Sequence, residues 1–139
     1  MNVKQKQLVQ STWIPVSEIS DTAASLFYNK LFELDPGLRP LFKGDMTEQG
    51  KKLMTMIGAA VHGLDDLGEL TPVVKGLGKR HAGYNVKDEH YATVGEALIW
   101  TLEQGLGEAF TDEVKEAWTI VYTTLADLMK GAAQEEVVG

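Results

Sequence analysis

The sequence predicts an all-α protein that forms a single domain. Through most of the chain the apolar residues recur at helical spacing, and no segment alternates apolar and polar residues as a strand would. Four prolines and scattered glycines divide this pattern into about seven helical segments. Because no internal repeat or long linker interrupts the sequence, one domain is expected to cover positions 1–139.

The first helices are marked by apolar spacing and by one clear start signal. Helical spacing covers positions 3–19, with a disturbance at Pro15, and a second helix follows directly. Asp35 and Pro36 predict a short third helix, because aspartate is a good N-cap and proline suits the first helical position. This helix is expected to end near Phe42.

Two further helices are predicted from similar signals in the middle of the chain. Asp45, with Glu48 three residues later, resembles a capping box at the start of the fourth helix. Thr71 followed by Pro72 repeats the combination of cap and proline, and it predicts the start of a fifth helix that ends near Gly83.

The last two helices have polar or acidic starts. Asp88 begins a long helix that runs to Leu106, and Thr111 precedes the final helix, whose first turn is acidic. The apolar periodicity stops at Ala132, so positions 132–139 are expected to fray.

Charge and composition exclude several classes of function. The 20 acidic residues outnumber the 13 basic ones, which are dispersed, so we expect no nucleic-acid partner. No apolar run reaches the roughly 18 residues of a membrane span, and no secretory signal is visible. The chain has no cysteine, which excludes disulfides and thiolate metal sites and fits a cytoplasmic location.

Common enzyme motifs are also missing. Glycine pairs at positions 76 and 78 and at positions 105 and 107 lack the third glycine and the preceding strand of a dinucleotide-binding fingerprint. They fit helix ends and packing contacts better. The sequence contains no zinc-protease motif, P-loop or nucleophile elbow.

The three histidines are the candidate metal ligands. A lone histidine is most often a surface or hydrogen-bonded structural residue, and we keep this interpretation for His62 and His90. His81 differs because Leu77 lies four residues earlier, which places the imidazole at the apolar edge of its helix. An imidazole that faces a core can ligate iron.

Several segments resemble the bacterial haemoglobins and the globin domains of flavohaemoglobins. The matching residues occur in the family's order and spacing at positions 27–32, 35–42, 77–81, 90–95, 117–118 and 121–122. The resemblance covers nearly the whole chain, and it extends to single-domain globins with a tyrosine and glutamine distal pair. It implies a globin fold of about seven helices around a pocket for non-covalent haem b.

The resemblance assigns roles to individual residues. His81 takes the position of the proximal iron ligand, Phe42 that of the phenylalanine against the haem face, and Tyr28 and Gln49 those of the distal pair. As an alternative, Tyr28 and Phe42 could be plain core residues and Gln49 a solvated one. The other haem contacts that it implies are Leu53, Ile57, Leu77, Val86, Tyr91 and Val94.

The proximal side departs from the flavohaemoglobin pattern. There, a tyrosine and a glutamate hydrogen-bond the proximal imidazole and increase electron donation to the iron. Tyr91 takes the position of that tyrosine, but the position of the glutamate falls on Ala133, and the nearest carboxylates are Glu135 and Glu136. Peroxidase-like activity is therefore not implied.

Two functions use the same predicted pocket. Dioxygen in such a pocket carries partial negative charge, so a phenol and an amide donor should hold it and slow its release. The first function is the binding of dioxygen or another diatomic gas, such as nitric oxide or carbon monoxide, for storage or transport. The alternative is a nitric oxide dioxygenase that depends on a separate reductase. A module that binds no haem is a third possibility, which a Soret band would exclude.

Overall fold

The computed structural model describes the backbone of residues 2–42, 44–83 and 88–138. It describes the side chains of the same residues except those at positions 41, 67, 77–83, 88 and 132–138. This part of the chain contains six α-helices, two 3-10 helices and no strand. The α-helices are α1 (Val3–Glu18), α2 (Ser20–Leu34), α3 (Met46–Gly63), α4 (Leu67–Gly83), α5 (Asp88–Leu106) and α6 (Asp112–Val138).

The predicted all-α class is confirmed, and the helix count differs slightly. The segment Pro36–Leu41, expected to be the third of about seven helices, is a short 3-10 helix rather than an α-helix. The Asp35 carboxylate accepts a hydrogen bond from the Gly37 amide at 3.0 Å, so Asp35 caps this helix as expected. In α1 the helix continues through Pro15.

Side chains that accept hydrogen bonds fix the starts of three α-helices. Asp45 caps α3, although its carboxylate accepts from the Thr47 amide at 2.8 Å rather than from the third residue of the helix, as a capping box would require. The Thr111 hydroxyl accepts from the Val114 amide at 3.2 Å at the start of α6. The reciprocal capping box of the chain lies instead at Asn2 and Gln5.

The predicted start of the fifth segment is wrong. Helix α4 begins at Leu67, where the carboxylate of Asp66 accepts a hydrogen bond from the Glu69 amide at 3.2 Å. Pro72 therefore lies inside the helix. The helix can begin at the Asp66 cap because Pro72 removes only one backbone hydrogen bond, the one to the Gly68 carbonyl, and leaves the first turn intact.

The last helix extends beyond the apolar periodicity. Helical backbone continues from Ala132 to Val138, the segment that the sequence pattern expects to fray. Alanine, glutamine and glutamate have high intrinsic helix propensity. The backbone helix therefore need not stop where the apolar stripe stops.

A large apolar core, the first cluster, joins α1 to α2, α3, α4, α5 and α6. Trp13 and Trp118 meet near its centre with their ring centroids 6.1 Å apart. The indole N–H of Trp118 donates to the Thr12 hydroxyl at 2.9 Å, which satisfies its one polar atom. The buried members of the first cluster are Val9, Trp13, Val16, Ala23, Val61, Leu64, Leu70, Val74, Leu102, Val114, Ala117, Trp118 and Val121.

Helices α5 and α6 touch where α5 carries a glycine. A Cβ at Gly95 would lie 2.7 Å from the Tyr122 ring. The Tyr122 hydroxyl donates to the Tyr91 carbonyl oxygen at 2.6 Å. Burial raises the pKa of Tyr122 above its ordinary value, so the phenol remains a donor.

None of the helices in the described ranges combines the length and apolar character that crossing a membrane requires.

Gly95→Ala is expected to lower the free energy of unfolding by about 1 to 2 kcal/mol, because overpacking outweighs the better helix propensity of alanine. Gly76→Ala is the matched control, since a Cβ at Gly76 would meet nothing within 4 Å. That variant should gain about 0.5 to 1 kcal/mol. Urea denaturation measures both values. If Tyr122→Leu does not reduce the cost of Gly95→Ala, the tyrosine ring is not its cause.

Candidate functional site

The candidate site lies where α2, α3, α5 and the helix Pro36–Leu41 meet. A second, smaller apolar core occupies this place, and we call it the second cluster. It brings together four residues that the sequence assigns to the site, namely Tyr28, Phe42, Leu53 and Val94. Its described members are Phe27, Tyr28, Leu31, Leu38 and Ala97, with Phe32, Leu34, Phe42, Met46, Leu53, Val94 and Leu98 packed against them.

Aromatic rings surround Tyr28. The Phe42 ring meets it edge-on at a centroid distance of 5.4 Å, Phe27 does so at 5.1 Å, and Phe32 stacks on it at 6.0 Å. Arg39 holds this group in place, because its guanidinium donates to the Phe42 carbonyl oxygen at 2.9 Å and lies 5.6 Å from the Phe32 ring centroid. The Tyr28 ring is thus fixed on three sides.

Sequence reasoning overlooked Arg39 and Phe32. The available signal was weak: Arg39 precedes Phe42 by three residues, and Phe32 follows Tyr28 by four. Both spacings bring side chains together on one helical face. The contact between Arg39 and the Phe32 ring depends in addition on the turn between α2 and the short helix, which propensity alone does not fix.

Tyr28 and Gln49 form the polar centre of the second cluster. The Tyr28 side chain is 6% exposed, and Gln49 on α3 is half-buried. Burial raises the pKa of the Tyr28 phenol, while a hydrogen bond with the Gln49 side chain opposes part of that rise. An amide N–H that donates to the phenol oxygen has this opposing effect, because it stabilises the charged form. The phenol is therefore neutral, and a neutral phenol carries one O–H donor.

Leu53 and Ile57 follow Gln49 along α3 at successive turns. Both are half-buried, with Leu53 packed against the second cluster and Ile57 against the first. They also line a small internal cavity of about 10 Å³ that reaches Trp13 and Phe27. The surface beside the Tyr28 and Gln49 pair is thus apolar along α3.

The opposite side of the site is described only in part. Tyr91 is buried, and the Lys130 ammonium lies 5.7 Å from the centroid of its ring. The backbone of His81 belongs to the last turn of α4, but its side chain lies outside the described residues. The same applies to the side chain of Leu77 and to the whole of Val86. The side chains of Ala133, Glu135 and Glu136 also lie outside them.

The remaining histidines lie elsewhere on the helices. His62 is exposed in the last turn of α3, and His90 is half-buried near the start of α5. The predicted surface or hydrogen-bonded structural role covers both of these placements.

Curated relatives match nearly all of this chain. It is 31% identical to a neuroglobin of Tetraodon nigroviridis, over 96% of this chain and 94% of that protein. It is also 31% identical to a flavohemoprotein of Bacillus subtilis, over 95% of this chain and 34% of that protein. The chain therefore spans about a third of the length of that flavohemoprotein.

Solved structures share the fold. An engineered carbene transferase, built on a protein of Rhodothermus marinus designated a nitric oxide dioxygenase, superposes with a TM-score of 0.89 at 25% identity, over 99% of this chain and 96% of that one. A bacterial globin of Campylobacter jejuni superposes with a TM-score of 0.87 at 22% identity, over 99% and 100% of the two chains. The globin family model matches residues 25–129. Because that match spans more than half of the sequence, the chain belongs to the globin family.

Proposed function

We propose that this globin binds one haem b non-covalently, with His81 as the iron ligand, and reversibly binds a diatomic gas, dioxygen above all, beside Tyr28 and Gln49. The observation that carries the proposal is the buried Tyr28 phenol, with the Gln49 side chain beside it, inside an otherwise apolar cluster. Polar groups placed together in a core are costly to bury, so they suggest a ligand that needs them.

The described residues fit a haem group. Phe42, Leu53 and Val94 offer apolar surface on three different elements around the polar pair. His81 supplies the imidazole that globins use for iron, and it lies on α4, which packs against α3 and α6. The names of several similar proteins, such as flavohemoprotein and a hexacoordinated heme protein of a tardigrade, support the same cofactor.

In this proposal the polar pair acts by donating hydrogen bonds. When bound at His81, a haem would supply the iron at which a diatomic gas can bind. Tyr28 donates its O–H to that gas, and Gln49 orients the phenol by donating to its oxygen. The surrounding rings of Phe27, Phe32 and Phe42 exclude water, and the low polarity strengthens both hydrogen bonds.

Tyr28→Phe is expected to speed dioxygen dissociation on the order of ten- to a hundredfold, because a hydrogen bond to a charge-bearing group contributes roughly 1.5 to 3 kcal/mol. Carbon monoxide carries little charge on its outer atom, so its dissociation should change far less. Stopped-flow measurements on the haem-loaded protein give both rates. Gln49→Leu should have a smaller effect of the same kind.

Phe27→Leu is the packing control, since Phe27 touches the same ring but offers no donor. It should change the two dissociation rates by similar factors. Equal factors for both gases in Tyr28→Phe would mean that Tyr28 is core packing only.

His81→Ala is expected to abolish tight haem retention, because the iron would lose its protein ligand and apolar contacts alone would hold the porphyrin. Haem transfer to an acceptor apoprotein, followed at the Soret band, measures the loss. His62→Ala is the matched control, as His62 is exposed on α3. Should His81→Ala keep its haem with an unchanged spectrum, another residue ligates the iron.

A nitric oxide dioxygenase is the second candidate function. It is favoured by the similarity to the engineered Rhodothermus marinus protein, whose parent is designated as such an enzyme. This activity would require a separate reductase to restore ferrous iron after each turnover. Sustained nitric oxide consumption with added reductase would favour the enzyme, whereas a single turnover per haem would favour gas binding.

A further inference from the structure

A larger cavity lies between the beginning of α4 and the middle of α6. Its volume is about 470 Å³, within the range of small-molecule sites. It borders the first cluster, whereas Tyr28 and Phe42, which belong to the proposed haem pocket, lie in the second. The described residues that line it are Leu64, Leu70, Thr71, Val121, Thr124, Leu125, Asp127 and Leu128.

The floor of this cavity is apolar and belongs to the core. Leu64 is 1% exposed and Val121 is 3% exposed, while Leu125 and Leu128 are half-buried beside them. A hydrocarbon chain placed on this floor would remove apolar surface from water on both sides, at roughly 25 cal/mol for each Å². The floor therefore favours the apolar part of a ligand.

The rim of the cavity offers hydrogen-bond acceptors and negative charge. Asp127 is exposed, and it is the one charged side chain among the described lining residues. The Thr124 hydroxyl already donates to the Ile120 carbonyl oxygen at 2.9 Å, so its oxygen is left to accept. Lys130, one turn after Asp127, has its ammonium over the Tyr91 ring. The rim thus favours a positively charged donor.

We propose that this cavity binds a single-chain amphiphile that carries a primary ammonium group. The chain lies against Leu64, Val121 and Leu125, and the ammonium donates to Asp127 and the Thr124 hydroxyl. A carboxylate head would be repelled by Asp127, and a neutral alcohol would gain the apolar contact without the charge attraction. The net charge of −7 also attracts an ammonium ligand and repels a carboxylate at longer range.

Three ligands with the same chain test the proposal: decylammonium and decanoate, each below its micellar concentration, and decanol below its solubility limit. Calorimetric titration of the haem-loaded protein should give affinities in that order. Asp127→Asn should weaken decylammonium binding about two- to fivefold, the range of an exposed ion pair, and should leave decanol unchanged. Glu116→Gln, another exposed carboxylate on α6, is the matched control and should change neither.

A blocking variant tests the position of the chain. Leu128→Trp should obstruct the cavity and weaken the binding of both decylammonium and decanol. Binding of decanoate as tight as that of decylammonium would overturn the proposal, and so would an Asp127→Asn variant that binds decylammonium like the wild type. A dimer that Leu128→Trp dissociates, measured by sedimentation, would also overturn it, because a second copy of the chain would then cover the cavity.

Discussion

The burial of the Tyr28 phenol beside the Gln49 side chain is the constraint on which the site depends. A phenol that is 6% exposed must find a partner, and the partner lies on a different helix. This pairing ties α2 to α3 at one point and orients the ring that Phe27, Phe32 and Phe42 enclose. The apolar residues around it then determine how dry the pair is, and hence how strongly its donors act.

Local chemistry made most of the helix starts predictable. Asp35, Asp45 and Thr111 act as caps, as their residue types indicate, because a cap needs only a short side chain and the next few amides. The start of α4 was missed because two cap signals compete there, Asp66 and Thr71, and only packing decides between them. The backbone hydrogen bond that Pro72 removes stabilises the helix less than the Asp66 cap and the burial of apolar residues after it.

The candidate site was predictable only in part from the sequence. The family resemblance assigned Tyr28, Gln49 and Phe42 to one pocket, and the structure places Tyr28 beside both of the others. The support of Phe42 by Arg39 was not predictable, since it depends on how the chain turns after α2. The cavity between α4 and α6 was also not predictable, because apolar periodicity does not indicate where two packed helices leave a space between them.

The contact of Tyr122 with α5 makes two positions behave as one. The Tyr91 carbonyl accepts from the Tyr122 phenol, and the helical ladder assigns the same carbonyl to the Gly95 amide. Both lone pairs of that oxygen are therefore used, one along the helix and one across to α6. Gly95 provides the space that the Tyr122 ring fills, so a substitution at either position affects the packing at the other. In any redesign of this protein, positions 95 and 122 form a single unit that has to be exchanged together.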